Sequence, residues 1–348
     1  MPEHVVYLLG AGFSAPLGLP VMANFVSKSK DQFSTASGKY KHFSDVFVLF
    51  EKLAKVKSFY HSDLSNIEEV LSILAIGDFS EGVDKTRFIK YLADVVSYYT
   101  PKLTQYAGGS LPNNWRLYTF GGSRVHNDYG NFILALARRS LNYTGSPGGF
   151  STHPPDQSIP TYAVVTLNYD SVIENLHNYC KDHLSLAVPL NLNTPCASFQ
   201  SSGDTEYHID LAKLHGSGHD GSIVPPTWSK GSERLPSAAW QAALQELGRA
   251  NHIRIFGYSL PDSDLNVRYL LKAAALESFH LKTIDVICLD PDEGVKRRYD
   301  SFIDHPGYRF KNASVADYFN NITARADANP GGNVASFLEQ THAYFTER

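Results

Sequence analysis

Short apolar segments that end in a polar or glycine-rich cluster recur along the chain, and helical patterns separate them. Such segments, rich in β-branched side chains, are typical of buried strands. Their alternation with helices predicts an α/β fold with a doubly wound, Rossmann-like parallel sheet. Ligands of such sheets bind beyond the carboxyl ends of the strands. The segments are VVYLL (5–9), TYAVVTLNYD (161–170), HIDLAKLHGS (208–217), HIRIFGYSLPDSD (252–264) and IDVICLDPD (284–292).

A large helical insertion is predicted between the first strand and the rest of the sheet. Amphipathic helical spacing recurs in SNIEEVLSILAIG, KTRFIKYLADVVSYY and YGNFILALARRSLNY, and the Gly-, Pro- and Ser-rich stretch 145–160 reads as the loop that closes this block. We therefore expect a discontinuous domain formed by 1–27 and 160–348, with 28–159 as the insertion. The insertion is either a lid or assembly module, or a part that merely completes the core.

The composition of the chain disfavours several classes of protein. The chain has 348 residues, 43% of them hydrophobic, and a net charge of -4, which disfavours a broadly basic nucleic-acid-binding surface. No apolar run is long enough to span a membrane, and no Lys or Arg precedes Lys28, so we expect neither a membrane segment nor a signal peptide. The three widely separated cysteines, Cys180, Cys196 and Cys288, fit a reducing cytoplasm and cannot form a four-cysteine zinc site.

The first cluster places Gly10, Gly12 and Ser14 directly after a predicted strand. Glycines there permit a tight turn and let backbone N–H groups approach a pyrophosphate. The pattern departs from G-x-G-x-x-G because Ala15 occupies the third glycine position. A plain strand-to-helix turn is an equal alternative for this cluster taken alone.

Polar residues follow the next two predicted strands. Asn168 and Asp170 end the second strand, where Asp170 could simply cap a helix. His215 ends the third strand and precedes a glycine, so a neutral imidazole there could act as a general base.

The last two clusters fit the ribose or phosphate of a nucleotide. Gly257 and Ser259 follow the fourth strand, although Asp264 could serve there as a helix N-cap in an ordinary turn. Asp290 follows the fifth strand, and a carboxylate at such a position can accept ribose hydroxyls.

Taken in order, these motifs resemble the sirtuin superfamily, and most of all its bacterial branch of NAD-consuming antiphage defence proteins. The resemblance rests on GAGFSAPLGLP, TLNYD, KLHGS, GYSLPDSD, the LDPD strand end and VPPTWSK. It implies NAD+ as the substrate. Because the four-cysteine zinc module of the superfamily is absent, we expect no metal. The resemblance also implies a site with Asn168, Asp170 and His215 as catalytic residues. The implied NAD+-binding residues are Gly10, Ala11, Gly12, Phe13, Ser14, Pro20, Gly257, Ser259 and Asp290.

The sequence also departs from the deacylase pattern of that superfamily. Val21-Met22-Ala23 replaces the aromatic residue and arginine after Pro20, with Phe25 as a candidate substitute, and the zinc module is absent. We therefore expect NAD+ hydrolysis to nicotinamide and ADP-ribose. The alternatives are a deacylase or ADP-ribosyltransferase, and a non-catalytic NAD- or ADP-ribose-sensing or scaffolding subunit.

The resemblance further implies a gated cytoplasmic effector that depletes NAD+ during abortive infection. It implies a homo-oligomer and a separately encoded partner, either a hexameric DNA translocase or helicase or an Argonaute-like protein. No direct nucleic-acid site is evident in the sequence.

Overall fold

A seven-stranded parallel sheet forms the centre of the computed structural model. This confirms the predicted doubly wound α/β fold. The structure describes residues 3–55, 59, 67, 69–70, 73, 85–107, 110–145, 149–153, 158–194, 208–218, 223, 237–329 and 332–347.

The strands of the sheet are β1 (His4–Leu9), β4 (Thr161–Thr166), β5 (Leu190–Leu192), β6 (Ile209–Lys213), β7 (His252–Phe256), β8 (Thr283–Cys288) and β9 (Tyr308–Asn312). They lie in the order β5-β6-β4-β1-β7-β8-β9 across the sheet. A separate hairpin pairs β2 (Leu141–Tyr143) with β3 (Phe150–Thr152).

Strand β1 is the switch point of this sheet. It pairs with β4 on one side and β7 on the other, and the chain builds outward from it in both directions. In doubly wound sheets, the crevice for a ligand opens at the carboxyl ends of the strands where the order reverses.

Helices cover both faces of the sheet. The helices among the described residues are α1 (Ala11–Ser14), α2 (Phe25–Thr35), α3 (Phe43–Leu53), α4 (Lys85–Tyr99), α5 (Arg124–Leu136), α6 (Val172–His183), α7 (Ser237–Gly248), α8 (Leu265–Ala274), α9 (Gly294–Phe302), α10 (Val315–Ala328) and α11 (Val334–Thr346). Short 3-10 turns in the described ranges lie at Ala15–Leu17, Met22–Asn24 and Trp115–Leu117. No helix in the described part of the chain is both long and apolar enough to cross a membrane.

Alternating side chains of β1 enter two different hydrophobic cores. Val5, Tyr7 and Leu9 pack with residues of α5, α6, α10 and α11, whereas Val6 and Leu8 pack with residues of α7, α8 and α9. This period of two follows from the pleat of a strand, and burial on both faces explains why β1 is apolar throughout.

The helical block contains a third hydrophobic core of its own. Phe43, Phe88 and Tyr91 lie at the centre of this core, which joins α2, α3 and α4. Helix α5 belongs instead to the main core beside β1, although it falls inside the predicted insertion. The segment with separate packing therefore covers α2 to α4. Most of SNIEEVLSILAIG and all of VPPTWSK lie outside the described residues.

The prediction of one helix over 129–143 is wrong at its carboxyl end. Helix α5 ends at Leu136, and Leu141–Tyr143 forms β2 of the hairpin. Arg138 adopts a left-handed backbone conformation with φ 56°, which a continuing α-helix does not tolerate. The predicted loop 145–160 accordingly contains β3.

A buried polar network fixes the last helix to the sheet. Arg254 of β7 makes a bidentate ion pair with Glu339 of α11, with nitrogen–oxygen distances of 2.9 and 2.6 Å. The next turn of α11 places His342 3.0 Å from the Asp285 carboxylate of β8. Charge-assisted bonds of this kind set the register of α11 on the sheet.

Candidate functional site

A cleft opens at the switch point, beyond the carboxyl ends of β1, β4 and β7. It encloses about 890 Å³ of space, including its opening to solvent. The turns after these three strands form its floor, and side chains that precede or belong to the helical block form a wall. The lining residues are Gly10, Ala11, Ser14, Leu19, Pro20, Met22, Phe25, Ile67, Leu92, Val96, Leu167, Asn168, Tyr169, Asp170, Gly257, Tyr258, Ser259, Pro261 and Asp264.

The three glycines of the predicted nucleotide site lie in two turns whose backbones pack directly against each other. A Cβ atom on Gly10 would lie 2.6 Å from Cα of Tyr258, and one on Gly12 would lie 2.8 Å from Cα of Gly257. Gly257 has φ +61° and would meet the backbone of Gly12 at 2.3 Å. Close approach of the turns after β1 and β7 therefore explains why glycine occupies all three positions.

Backbone N–H groups in the first turn already have protein acceptors. Gly10 donates to the carbonyl of Phe256 at 3.0 Å, Gly12 to that of Gly257 at 2.8 Å, and Phe13 to that of Gly10 at 2.9 Å. The predicted pyrophosphate contact of these N–H groups would thus compete with bonds that hold the two turns together. Ala11 is the exposed residue of the turn that faces the cleft.

Ser14, Asn168 and Asp170 form one polar cluster at the floor. The Nδ2 atom of Asn168 donates to the Gly10 carbonyl at 3.0 Å and to Oγ of Ser14 at 3.2 Å. The Ser14 side chain is also hydrogen-bonded to Asp170. The structure therefore brings together residues that lie more than 150 positions apart in the sequence.

Asp170 has a structural task as well as a place in the cleft. Its Oδ1 accepts the backbone N–H of Val172, the first residue of α6, at 3.1 Å, while Ser171 occupies the N-cap position. Burial raises the pKa of the Asp170 carboxyl, and the positive charge of Lys213 opposes that rise. The carboxyl is thus held by α6 at the edge of the cleft.

Lys213 is a buried cation that the sequence analysis did not assign to the site. Its Nζ donates to the backbone carbonyl of Asp170 and to Oε1 of Glu174, the latter at 2.7 Å. This ties the end of β6 to the turn after β4. A lysine at the end of a fully buried strand, two residues before His215, was the available signal.

His215 lies behind the cleft rather than in its lining. The side chain is only 3% exposed, and its Nε2 has no hydrogen-bond partner among the described residues. Burial lowers the pKa of His215 below its ordinary value of 6.5, against the opposing charge of Asp264 and a hydrogen bond to the Leu167 backbone. The imidazole is therefore neutral at neutral pH.

The turn after β7 contributes a second polar pair. The hydroxyl of Tyr258 donates to Asp264 at 2.7 Å. Asp264 also accepts the N–H of Val267 and is the N-cap of α8, as the alternative for this turn predicted. Ser259 lines the cleft, and its carbonyl accepts a hydrogen bond from Arg298 at 3.0 Å.

Three predicted binding residues have different surroundings. Pro20 lines the cleft. The Phe13 ring is buried in the main core beside Tyr129, so only its backbone belongs to the turn. The carboxylate of Asp290 caps the start of α9 through the N–H groups of Val295 and Lys296, and it does not line the cleft. The assignment of Asp290 to ribose binding stays a prediction. The observed geometry gives its carboxylate a structural role.

The wall of the cleft is apolar. Leu92 and Val96 of α4 contribute to it, together with Ile67. Phe25, the candidate substitute for the missing aromatic residue, also lines the cleft. Pockets of this kind, apolar with a few convergent polar groups, are typical of ligand sites.

Comparisons with known proteins give little sequence similarity. No protein-family model matches the chain, and no curated protein matches it. Two solved structures are similar to it at 13% identity. One is Sir2 in complex with the inhibitor EX-527, 2'-O-acetyl-ADP-ribose and deacetylated p53 peptide, with TM-score 0.35 over 94% of each chain. The other is Sir2Tm bound to a propionylated peptide, with TM-score 0.34 over 95% of this chain and 94% of that one.

Metal-ligating side chains do not cluster in the described ranges. Within them, no group of three or more His, Cys, Asp or Glu residues could hold a metal ion.

Proposed function

We propose that this protein hydrolyses NAD+ to nicotinamide and ADP-ribose. Water supplies the hydroxyl group to the ribose carbon, nicotinamide leaves with the bonding electrons, and one proton is released. The observation that carries the proposal is the cluster of Ser14, Asn168 and Asp170 on the floor of one cleft. These are residues to which the sirtuin-like motifs assign NAD+ contacts.

The place of the cleft fits a dinucleotide. It opens at the switch point of the sheet, where doubly wound folds bind nucleotides. Polar groups on the floor face an apolar wall, so the reacting bond would lie in surroundings that limit the access of bulk water.

Asn168 is suited to orient the ribose or the attacking water. Its amide nitrogen is held by two acceptors, which leaves Oδ1 to accept a hydrogen bond from a hydroxyl group. A fixed amide acts by positioning, and this lowers the entropy cost of the reaction.

His215 is the proposed general base, and Asp170 is proposed to support the leaving group. The lowered pKa of His215 keeps its imidazole able to accept a proton from water or a ribose hydroxyl. Asp170 would bind the carboxamide or offset positive charge that develops on the ribose, as carboxylates do in glycoside hydrolysis.

Water is the proposed acceptor because the features of a protein deacylase are missing. The chain has three cysteines in total, too few for a four-cysteine zinc module. Val21-Met22-Ala23 stands where a deacylase has an aromatic residue and an arginine. In the described residues, α4 and Ile67 form a wall of the cleft.

Unrestrained NAD+ hydrolysis would be toxic, so the proposal includes a gate. Helices α2 to α4 have their own core and contribute lining residues, which makes them the proposed lid. We propose depletion of NAD+ in antiphage defence as the biological role, with activation by assembly or by a separately encoded partner. Full hydrolysis by the isolated protein, without a partner or a change in assembly, would contradict the gate.

The direct test measures nicotinamide and ADP-ribose by chromatography after incubation of the protein with NAD+. Asn168→Ala and His215→Ala should each lower the rate by about 100-fold or more. Partly exposed Asn321→Ala and exposed His280→Ala are the controls, and both should retain the wild-type rate. Turnover that survives both site substitutions would refute the assignment. Release of nicotinamide only with an acetylated peptide would indicate a deacylase. Binding without turnover under any condition, including with a candidate partner, would indicate a sensor.

A further inference from the structure

The proposed base is separated from the cleft by protein. His215 is almost completely buried, is absent from the cleft lining, and has an Nε2 without a partner in the described part of the chain. A buried polar nitrogen without a hydrogen bond is costly, and native proteins rarely retain one without a reason. Exposure to the cleft would satisfy that nitrogen with water or substrate.

Tyr169 contacts both His215 and the cleft. Its ring centroid lies 5.9 Å from that of the imidazole, with 35° between the planes, and the residue lines the cleft. The N–H of Gly218 donates to the Tyr169 carbonyl at 2.7 Å, so the loop after His215 is tied to the same turn. The Tyr169 ring is therefore in position to cover His215 on the side of the cleft.

Tyr169 also contacts the helical block. Its side chain packs against the hydrophobic core that α2, α3 and α4 share. Helix α4 reaches the loop after His215 as well, because a Cβ atom on Gly218 would lie 3.5 Å from Val96 and 3.6 Å from Ala93. The core to which α4 belongs thus contacts Tyr169, and α4 itself approaches the loop that follows His215.

We propose that Tyr169 is a positioning residue that shields His215 while α4 is in place. Displacement of α4 removes the support of the Tyr169 ring, the ring turns away, and the imidazole gains access to the cleft. The shielding of His215 is inferred from packing alone. Its consequence for catalysis rests on the proposed NAD+ hydrolysis.

Shielding can be measured without NAD+. Diethylpyrocarbonate acylates accessible imidazole nitrogens with loss of ethyl carbonate, and peptide mass spectrometry gives the rate at each histidine. In the wild-type protein, His215 should react as slowly as buried His177 and far more slowly than exposed His280. A His215 rate equal to that of His280 would overturn the proposal.

Variants at position 169 test the ring itself. Tyr169→Ala and Tyr169→Leu should raise the His215 rate by about 2- to 10-fold, since each removes the aromatic contact. Tyr169→Phe keeps the ring and should retain the wild-type rate. Tyr98→Ala, a matched change on the exposed surface of α4, should also leave it unchanged. Leucine at position 169 preserves an apolar contact with the helical block. Circular dichroism verifies the fold of each variant. Equal His215 rates in folded Tyr169→Leu and wild-type protein would refute shielding.

NAD+ hydrolysis by the same proteins separates the two proposals. Without a partner, Tyr169→Leu should hydrolyse NAD+ faster than the wild-type protein does. A rate that is unchanged or lower, although His215 reacts faster, would overturn the coupling of shielding to catalysis. Absence of hydrolysis in every variant, with the expected labelling pattern, would overturn NAD+ hydrolysis and leave the shielding of His215 intact.

Discussion

The Nδ2 atom of Asn168 lies 3.2 Å from Oγ of Ser14, and this hydrogen bond joins the turns after β1 and β4. Strands β1 and β4 pair in parallel with Leu9 opposite Thr166. The turns that follow these two strands therefore begin side by side. A strand register fixed by hydrophobic packing therefore determines the position of a polar contact in the cleft.

Replacement of Ser14 by alanine should reduce NAD+ hydrolysis. The change removes one acceptor of the Asn168 amide and the hydroxyl bonded to Asp170. Loss of a buried hydrogen bond costs about 1–3 kcal/mol, so we expect kcat/KM to fall by about 5- to 100-fold. Steady-state kinetics with NAD+ measures this. Ser34→Ala, whose hydroxyl bonds the carbonyl of Asp31 on the exposed side of α2, is the control. Equal kcat/KM values for the two variants would exclude a role for Ser14.

Replacement of Gly257 by alanine should destabilise the fold strongly. The new Cβ would lie 2.3 Å from the backbone of Gly12 and Phe13, where no flexible side chain can yield. We expect a loss of about 3 kcal/mol or more, from the steric overlap and the left-handed backbone together. Urea denaturation followed by circular dichroism gives the free energy of unfolding.

Gly18→Ala separates these two causes. Gly18 has φ +93° but nothing within 4 Å of the added Cβ, so only backbone strain of about 1–2 kcal/mol should remain. Similar losses for both variants would mean that the turns after β1 and β7 can separate without cost.

The interior strands were predictable because burial on both faces makes their sequences apolar. The same logic placed Asn168, His215 and Gly257 at one edge of the sheet, since parallel strands end together. The edge strands β5 and β9 were missed. Leu190–Leu192 has three residues, and Tyr308–Asn312 is polar and only partly buried, so neither carries a strong strand pattern.

The contact between Tyr169 and His215 could not be predicted from the sequence. It depends on where α4 packs and on how the ring of Tyr169 is placed, and both arise from contacts between distant segments. The capping role of Asp290 was equally hidden, because a carboxylate at a strand end fits both a ribose and the start of α9. Local patterns identify residues of the turn but not their partners.

His342 should make stability depend on pH. Burial, together with the positive charge of Arg254, lowers the pKa of His342 from 6.5 to about 4, against the opposing effect of Asp285. Between these values the unfolded chain binds a proton that the folded protein does not, so stability is retained above pH 6.5 and lost as pH falls toward 4. Between pH 7 and pH 5 this loss amounts to about 2 kcal/mol.

Urea denaturation at several pH values measures this contribution. His342→Gln keeps polar atoms beside Asp285 but does not titrate, so its stability should fall less steeply over the same range. His280→Gln, on the exposed surface, should follow the wild-type curve. Parallel curves for wild type and His342→Gln would rule out this histidine as the source.

Asp264 should set the acid limb of the activity profile through His215. A general base acts only when deprotonated, so kcat/KM should fall as pH drops through the pKa of His215, which burial holds below 6.5. The negative charge of Asp264 partly offsets that lowering. Asp264→Asn removes the charge but retains a side chain that can cap α8 and bond Tyr258, so the acid limb should move to lower pH. Profiles of kcat/KM for NAD+ against pH measure the shift, with Asp262→Asn as control, since that carboxylate is 86% exposed and pairs with Arg268. A limb that stays in place in Asp264→Asn, or that moves equally in both variants, would show that the titrating base is a group other than His215.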